Sequence, residues 1–410
     1  MTNSAPDAGP VAKQYEKWVY PFPIQDLSAP ELRERRDGGD YTHNWYTYWP
    51  NREPREDLDV LVAGCGSNAA ARYAYNHPKA RVVGIDLSAS SLAHEKYLKD
   101  KHNLTNLTLH QGKLQDVGKI GRQFDFIDCS GVLHHLPDPV EGLRALGSVL
   151  RPDGTIAIMV YGRHGRVGVY MLQEMFRLMR LGQTEADVGM VKQVLEALPK
   201  RHVIQDYMSR VHDTKYDAGL VDTFLHRQDR AYTASQCVAF AQDAGLSFMH
   251  WWDNILYYPE GQLSTGGEIY KKLANLPEIA VWDFMELYNG TLGQHAFAVC
   301  HPTRPTSSYR LDFQVPAFLD YVPVLRAKIG PAAAGAQEGA ITLERAPFGA
   351  VPVSPALAAL TRQIDGKKTI RDCYLAAKLS GPGLESMEET CRVGFRHLWR
   401  LSEIFLRIPG

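Results

Sequence analysis

VLVAGCGSN, residues 60–68, decides the fold. Val60, Leu61, Val62 and Ala63 show no polar alternation, so both faces of the segment must be covered, as in a central strand of a parallel sheet. Gly64 and Gly66 follow at once, and the helical pattern AAARYAYNH (69–77) begins just beyond them. Glycine is useful in such a turn because the chain reverses tightly and the main chain can approach a ligand with no β-carbon in the way.

From Asp59 onward the runs DVLVAG, ARVVGID, LTLHQG, FDFIDCSG and GTIAIMVYG alternate with helical stretches, the pattern of a parallel sheet covered on both faces. Between 163 and 245 the apolar spacing turns helical and strands stop, which reads as an insertion or cap over the sheet. Its end carries a capping box, Thr233 with Gln236, opening a helix that closes near Gly245. LSFMHWWDNILYYP and HAFAVCHP then read as the two last strands, forming an antiparallel edge. The predicted fold is α/β: a doubly wound, mostly parallel seven-stranded sheet with an antiparallel edge, an aromatic N-terminal lid, a helical insertion and a small C-terminal α-rich module. The expected divisions are 1–52 for the lid, 53–302 for the sheet domain, 303–340 for a linker rich in proline and small residues, and 341–410 for the module.

Composition narrows the function. The chain has 410 residues, 45% hydrophobic and 22% charged, with a formal net charge of -1, so it folds and carries no global field for nucleic acid or an anionic membrane. Its six cysteines (Cys65, Cys129, Cys237, Cys300, Cys373, Cys391) are far apart, without Cys-x-x-Cys or zinc spacing, and no metal is expected. The start lacks an apolar signal core, and no uncharged apolar run approaches the ~20 residues of a membrane span. A cytoplasmic protein is expected.

ARVVGIDLS ends the second strand and puts Asp86 about 20 residues beyond the glycines, where a carboxylate accepts hydrogen bonds from both hydroxyls of a ribose. Ser88 is free to cap the next helix in its place. Two further signals follow in order at strand ends: HQGKLQD, and FDFIDCSGVLHHLPDP with LRPDGTIAI. With these four signals the chain resembles the class I, Rossmann-like S-adenosylmethionine-dependent methyltransferases, in particular the small-molecule branch that carries a Leu-His-His-Leu-Pro segment. The resemblance covers 59–162 well, the later strands loosely and the C-terminal module not at all. It implies S-adenosyl-L-methionine as cofactor. Gly64 and Gly66, with Cys65 and Asn68 in the same turn, would face its methionine moiety. Asp86 would hold the ribose, Leu87 would pack on the adenine, Lys113 and Leu114 would edge the ring, and Ser130 and Gly131 would line the methionyl arm. The chain departs from the family at Val62, usually acidic, at Asn68, usually glycine, and at Lys113, often aspartate. A nicotinamide dinucleotide is disfavoured, because the last glycine of Gly-x-Gly-x-x-Gly is replaced by Ala69 or Ala70.

Methyl transfer from a sulfonium mainly requires alignment and exclusion of water; a hydroxyl or ammonium acceptor also needs a base, whereas a thiol is partly ionised at neutral pH. Candidate proton handlers are His134 and His135, and, in DTFLHRQDRAY, Asp222, His226, Arg230 and Tyr232. Against these stand structural roles: one histidine supporting its loop, and a surface ion-pair cluster ahead of a capped helix. Tyr15, Trp18, Tyr20 and Tyr46 are the aromatics expected to close over the cofactor, holding the sulfonium by cation–π attraction; packing of an N-terminal extension is the alternative. Cys65 and Cys129 are read as small packing residues. The expected activity is S-adenosylmethionine-dependent methylation of a small molecule, a small thiol being favoured because no base stands out. The alternatives are a protein or peptide methyltransferase that docks through the C-terminal module, and a non-catalytic cofactor-binding subunit. The expected partner is a small-molecule methyl acceptor, with no nucleic acid and no membrane; a homodimer is possible.

Overall fold

The computed structural model describes residues 10–29, 39–264, 266–332, 334–345, 349–379 and 386–409. β1 (Asp59–Ala63) is buried along its whole length because it lies between two parallel neighbours, β2 (Arg81–Asp86) and β4 (Phe124–Ser130). β3 (Leu107–Gln111) pairs in parallel with β2, and β5 (Leu150–Gly162) in parallel with β4. β8 (Gln294–Cys300) runs antiparallel to β5. With β7 (Ser247–Trp251) the order is β3-β2-β1-β4-β5-β8-β7. The mostly parallel sheet with an antiparallel edge is therefore present as the sequence predicts, with one addition: β6 (Ala231–Tyr232), a two-residue strand beside the end of β5. The chain winds outward from β1 and then restarts at β4, so the crevice at the carboxyl ends of β1 and β4 is the place where such a sheet binds ligands.

The helices of the first half begin where local chemistry satisfies their free amides. α1 (Pro10–Lys17) precedes the sheet and α2 (Ala69–Asn76) follows the glycine turn. α3 (Ala89–Lys101) is capped by Ser88, and α4 (Pro139–Ser148) by Asp138 with proline in its first turn. The insertion contains α5 (Val167–Leu178), α6 (Glu185–Ala197), α7 (Ile204–Arg210) and α8 (Asp217–Phe224). These share a core of Val169, Leu172, Phe176, Val191, Leu220 and Phe224, against which Trp18 packs. α9 (Ala234–Asp243) opens with the Thr233–Gln236 capping box read from the sequence. Among the described residues no helix is long and apolar enough to cross a membrane.

The chain divides into two compact units: Met1–His43, Arg55–Phe248 and Glu286–Thr303 form the first, and Asn44–Pro54, Met249–Met285 and Arg304–Gly410 the second. In the second unit, β10 (Lys328–Gly330), β11 (Ile341–Arg345) and β12 (Gly349–Val353) form an antiparallel sheet. β13 (Ile404–Arg407) pairs antiparallel with β9 (Val322–Leu325). Helices Pro355–Thr361, Ile370–Ala377 and Met387–Arg400 accompany them, so this unit is mixed rather than α-rich. The stretch 303–340, expected as a linker, places Phe313, Phe318, Leu319 and Tyr321 in the second core. Large apolar side chains at short intervals outweigh the prolines and the small-residue run, because burying them repays the ordering of the loop. Asn44–Pro54 also belongs here rather than to an N-terminal extension, with Arg304 donating to the Tyr48 carbonyl at 2.9 Å.

The amino ends of the central strands are joined by charge. Asp59 accepts from Arg81 at 2.7 and 2.8 Å, from Arg122 at 2.8 Å and from Arg151 at 2.7 Å, and its amide donates to Asp125 at 2.8 Å. Burial raises the Asp59 carboxyl, but the bonds and charge of Arg81 and Arg151 outweigh it and hold the group below the usual carboxylate range. The resulting stabilisation is present above that range and is lost as pH falls through it. Asp59→Asn is expected to lower the unfolding free energy at neutral pH by about 1–2 kcal/mol, a value kept small because the arginines are partly exposed and screened. Denaturant titration should show the gap to the wild type closing in acid.

Candidate active site

The turn after β1 requires its glycines. Gly64 has φ +75°, and a β-carbon there would lie 2.4 Å from a methyl of Val132; Gly66 has φ +55°, and a β-carbon there would lie 2.8 Å from the Pro21 ring. The Gly66 amide donates to Asp86 Oδ2 at 2.8 Å, and the Ser88 amide donates to Asp86 Oδ1 at 2.8 Å. Burial pushes the Asp86 carboxyl up, while the amides of Ser88, Gly66 and Leu87 pull it down. The loops after β1 and β2 thus meet at one carboxylate, with Leu87 half-buried beside it.

The remaining cofactor candidates lie at the same strand ends. Lys113 is exposed and precedes a 3-10 turn, Leu114–Ile120, whose first residue is buried. Ser130 is exposed and donates to Asp128 at 2.6 Å, and Gly131 has φ +78° with its amide bonded to the Met159 carbonyl at 3.0 Å. Asn68 is buried and donates to Ser67 Oγ at 3.1 Å, which in turn donates to the Pro21 carbonyl at 2.8 Å. Cys65 and Cys129 are buried, and burial pushes both thiols up, which suits inert packing.

Two carboxylates were not legible as site residues. Glu95 of α3 accepts from the amides of Ala70 and Ala71 at 2.9 and 2.8 Å, anchoring the first turn of α2 directly behind the glycines. Its position on the buried face of α3, with Ser91 and Leu98, is a signal that helical periodicity carries. Asp128 is the cross-strand neighbour of Val62 and accepts from Tyr73 and Ser130, so a carboxylate stands beside the position where the family's acid is missing. That signal is a matter of strand register, which the sequence does not print.

The N-terminal aromatics separate. Tyr15 donates to Asp222 Oδ1 at 2.8 Å, and its carbonyl accepts from Ser88 Oγ at 3.3 Å. Glu16 accepts from the Ala89 and Ser90 amides at the start of α3. Trp18 donates to the Gln183 carbonyl at 3.1 Å and Tyr20 to Asp213 at 2.8 Å. This segment therefore joins the strand-end loops to the insertion within the first unit. Tyr46 lies in the second unit, its ring 6.1 Å from that of Phe405 and under the Arg407 guanidinium.

A second group of polar side chains is buried where the insertion meets the loop after β4. Asp222 also accepts from Tyr161 at 3.2 Å. His135 bonds through Nδ1 to the Gln228 carbonyl at 2.8 Å, and its ring stacks on His226 with centroids 3.8 Å apart. His226 Nδ1 accepts from the Gln228 amide at 3.0 Å. A ligating atom from each of His135, Asp222 and His226 falls within 4.8 Å of the others. Burial pushes Asp222 up, and burial with the charge of His135 holds His226 down to about 2. His134 is fully buried against Tyr161, ring centroids 3.9 Å apart, with neither ring nitrogen bonded. Asp229 is taken by Arg166 and Gln173, and Arg166 stacks on the Tyr161 ring at 3.5 Å. Arg230 is exposed and Tyr232 packs on Phe240, so these two are held by the β6 region and not by the Asp222 group. Tyr161 was missed, although it ends a strand at the binding edge.

Known proteins resemble parts of this chain. A family described as methyltransferase domain matches residues 61–156. Trans-aconitate 2-methyltransferase from Deinococcus radiodurans is 32% identical over 27% of this chain and 45% of its own length. Ubiquinone biosynthesis O-methyltransferase from Neisseria meningitidis is 24% identical over 28% of this chain and 48% of its own length. The matches thus span about half of these two enzymes. PKMT2 from Rickettsia typhi, also solved with AdoHcy, shares the fold at a TM-score of 0.61 and 17% identity, covering 90% of this chain and 75% of its own. The chain carries a methyltransferase domain of the S-adenosylmethionine-dependent kind over residues 61–156. The methyltransferase uses S-adenosylmethionine as cofactor, and the glycine turn, which leaves no β-carbon in the way, and the adjacent Asp86 carboxylate fit an adenosyl group joined to a methionine zwitterion.

Glu95 gives the methyltransferase a testable pH signature. Burial pushes its carboxyl up to about 8 against the pull of two amides. The folded chain then keeps a proton that the unfolded chain releases, so stability falls as pH rises from the carboxylate range towards that value. Glu95→Gln, which cannot ionise, should flatten the slope when unfolding is measured at about pH 5 and about pH 8.

Proposed function

We propose that the methyltransferase acts on a small-molecule acceptor held against His135, Asp222 and His226, with the acceptor atom aligned in line with the departing sulfur. The observation that carries this reading is the Tyr15 link: one residue is bonded through its hydroxyl to Asp222 and through its carbonyl to Ser88, two positions beyond Asp86. The proton-handling group and the ribose carboxylate are thereby neighbours in one unit.

Bound S-adenosylmethionine supplies an activated methyl electrophile. Gly64 and Gly66 present main chain to its methionine moiety, with Cys65 and Asn68 shaping the turn, and Asp86 accepts from the ribose hydroxyls. Leu87 packs on the adenine, Lys113 and Leu114 edge it, and Ser130 and Gly131 line the methionyl arm. Tyr15, Trp18 and Tyr20 close the site and exclude water, which strengthens every charge inside it.

The preference for a thiol rested on the lack of a base. His135 and Asp222, buried together, supply a place for a proton, and that reason falls away. Ubiquinone biosynthesis O-methyltransferase, whose name assigns transfer to oxygen, supports an acceptor that has a proton to lose. His135→Gln and Asp222→Asn are each expected to lower kcat by about 10²–10⁴-fold while leaving cofactor affinity nearly unchanged. Asp86→Ala should do the reverse to binding, weakening it by about 10-fold or more. S-adenosylhomocysteine release and titration calorimetry separate the two effects; loss of cofactor binding in the His135 variant would sink the assignment.

A further inference from the structure

We infer that the main chain of Gln228 holds His135 and His226 in opposite tautomers, and that the resulting acceptor–donor pair selects a hydroxyl oxygen as the methyl acceptor. The substrate half of this inference rests on the proposed function; the tautomer half does not.

A carbonyl only accepts and an amide N–H only donates. Gln228 O is 2.8 Å from His135 Nδ1, so that nitrogen carries the ring hydrogen and His135 Nε2 keeps a lone pair. Gln228 N donates to His226 Nδ1 at 3.0 Å, so that nitrogen carries the lone pair and a neutral His226 bears its hydrogen on Nε2. His226 is 7% exposed, and burial keeps the ring neutral at physiological pH. Its Nε2 is buried without a bonding partner. Leaving a buried donor unsatisfied is costly, so this N–H is poised to receive a ligand acceptor. The two rings stack at 3.8 Å with both Nδ1 atoms turned to one residue, and Asp222 is within the same 4.8 Å group.

This pair is complementary to a group that donates once and accepts once at the same atom. A hydroxyl does so: its hydrogen goes to His135 Nε2, one lone pair takes the hydrogen of His226 Nε2, and another lone pair remains for the methyl carbon. A neutral amine has a single lone pair, which the methyl carbon must take, so none is left for the His226 N–H, and a thiol is weak in both roles. A divalent metal would need lone pairs on both histidines, which the Gln228 amide denies to His226 Nε2. In the transfer, the O–CH3 bond forms as the sulfonium C–S bond breaks with its electron pair staying on sulfur. The hydroxyl proton passes to His135 Nε2, and the imidazolium formed faces the Asp222 carboxylate and still donates through Nδ1 to Gln228.

Long-range proton–nitrogen correlation of the enzyme labelled with 15N-histidine, assigned with His135→Gln and His226→Gln, reads both tautomers directly. The expected result is hydrogen on Nδ1 of His135 and on Nε2 of His226, unchanged in Gln228→Ala because only main chain is used. The same tautomer in both rings would overturn the inference. Matched phenol, thiophenol and aniline probes, followed by S-adenosylhomocysteine release, should favour the phenol by about 10-fold or more. Preference for thiophenol or aniline overturns the substrate class while leaving methyl transfer in place, and absence of release with all three counts against the proposed function.

Discussion

The bond from the Gly66 amide to Asp86 is the contact on which the site depends. It joins the ends of β1 and β2, and it can form only because Gly66 adopts a left-handed conformation close beneath Pro21. A residue with a side chain would meet both the strained φ and the Pro21 ring, so the turn, the Asp86 carboxylate and the overlying N-terminal segment stand or fall together. Glu95 secures the same turn from behind by accepting the first free amides of α2. The cofactor edge is thus held by hydrogen bonds to main chain, which are indifferent to most side-chain identities.

The group around Asp222, proposed to face the acceptor, is built on the opposite plan. There the polar side chains are buried together, and their chemistry is set by what surrounds them. Asp222 receives two tyrosine hydroxyls, from Tyr15 and Tyr161, and burial raises its proton affinity. The Arg166 charge that lies over Tyr161 is matched by Asp229, so a cation is held within the insertion without neutralising Asp222. Such an arrangement costs desolvation, and it is tolerated because nearly every member has a partner. His134, His226 Nε2 and Asp229 Oδ1 are the exceptions, and they stand at or beside the group where chemistry is expected.

The legible part of the molecule is the part written in local periodicity. The runs around Val60, Val83, Leu109, Ile127 and Ile156 announced a parallel sheet, and Thr233 with Gln236 announced a helix start that the structure contains. Gly64, Gly66 and Asp86 stood out because glycine in a strand-to-helix turn and a carboxylate after the next strand have few other uses. Tyr46 falls in the second unit, which was not legible because aromatic density along the chain says nothing about which core takes each ring. The 303–340 stretch misled for a related reason, since its prolines suggested a linker while Phe313, Phe318 and Tyr321 supplied a core.

Sequence alone determined the doubly wound sheet, the order of the strand-end signals and the class of cofactor, because each depends on residues close together in the chain and on the fixed geometry of strands and turns. Tertiary structure alone decided that Tyr15 reaches Asp222, that Asp128 lies beside Val62, and that one peptide group serves both His135 and His226. These pairings join segments separated by up to 207 positions, and they are set by packing and register, for which no local pattern stands proxy.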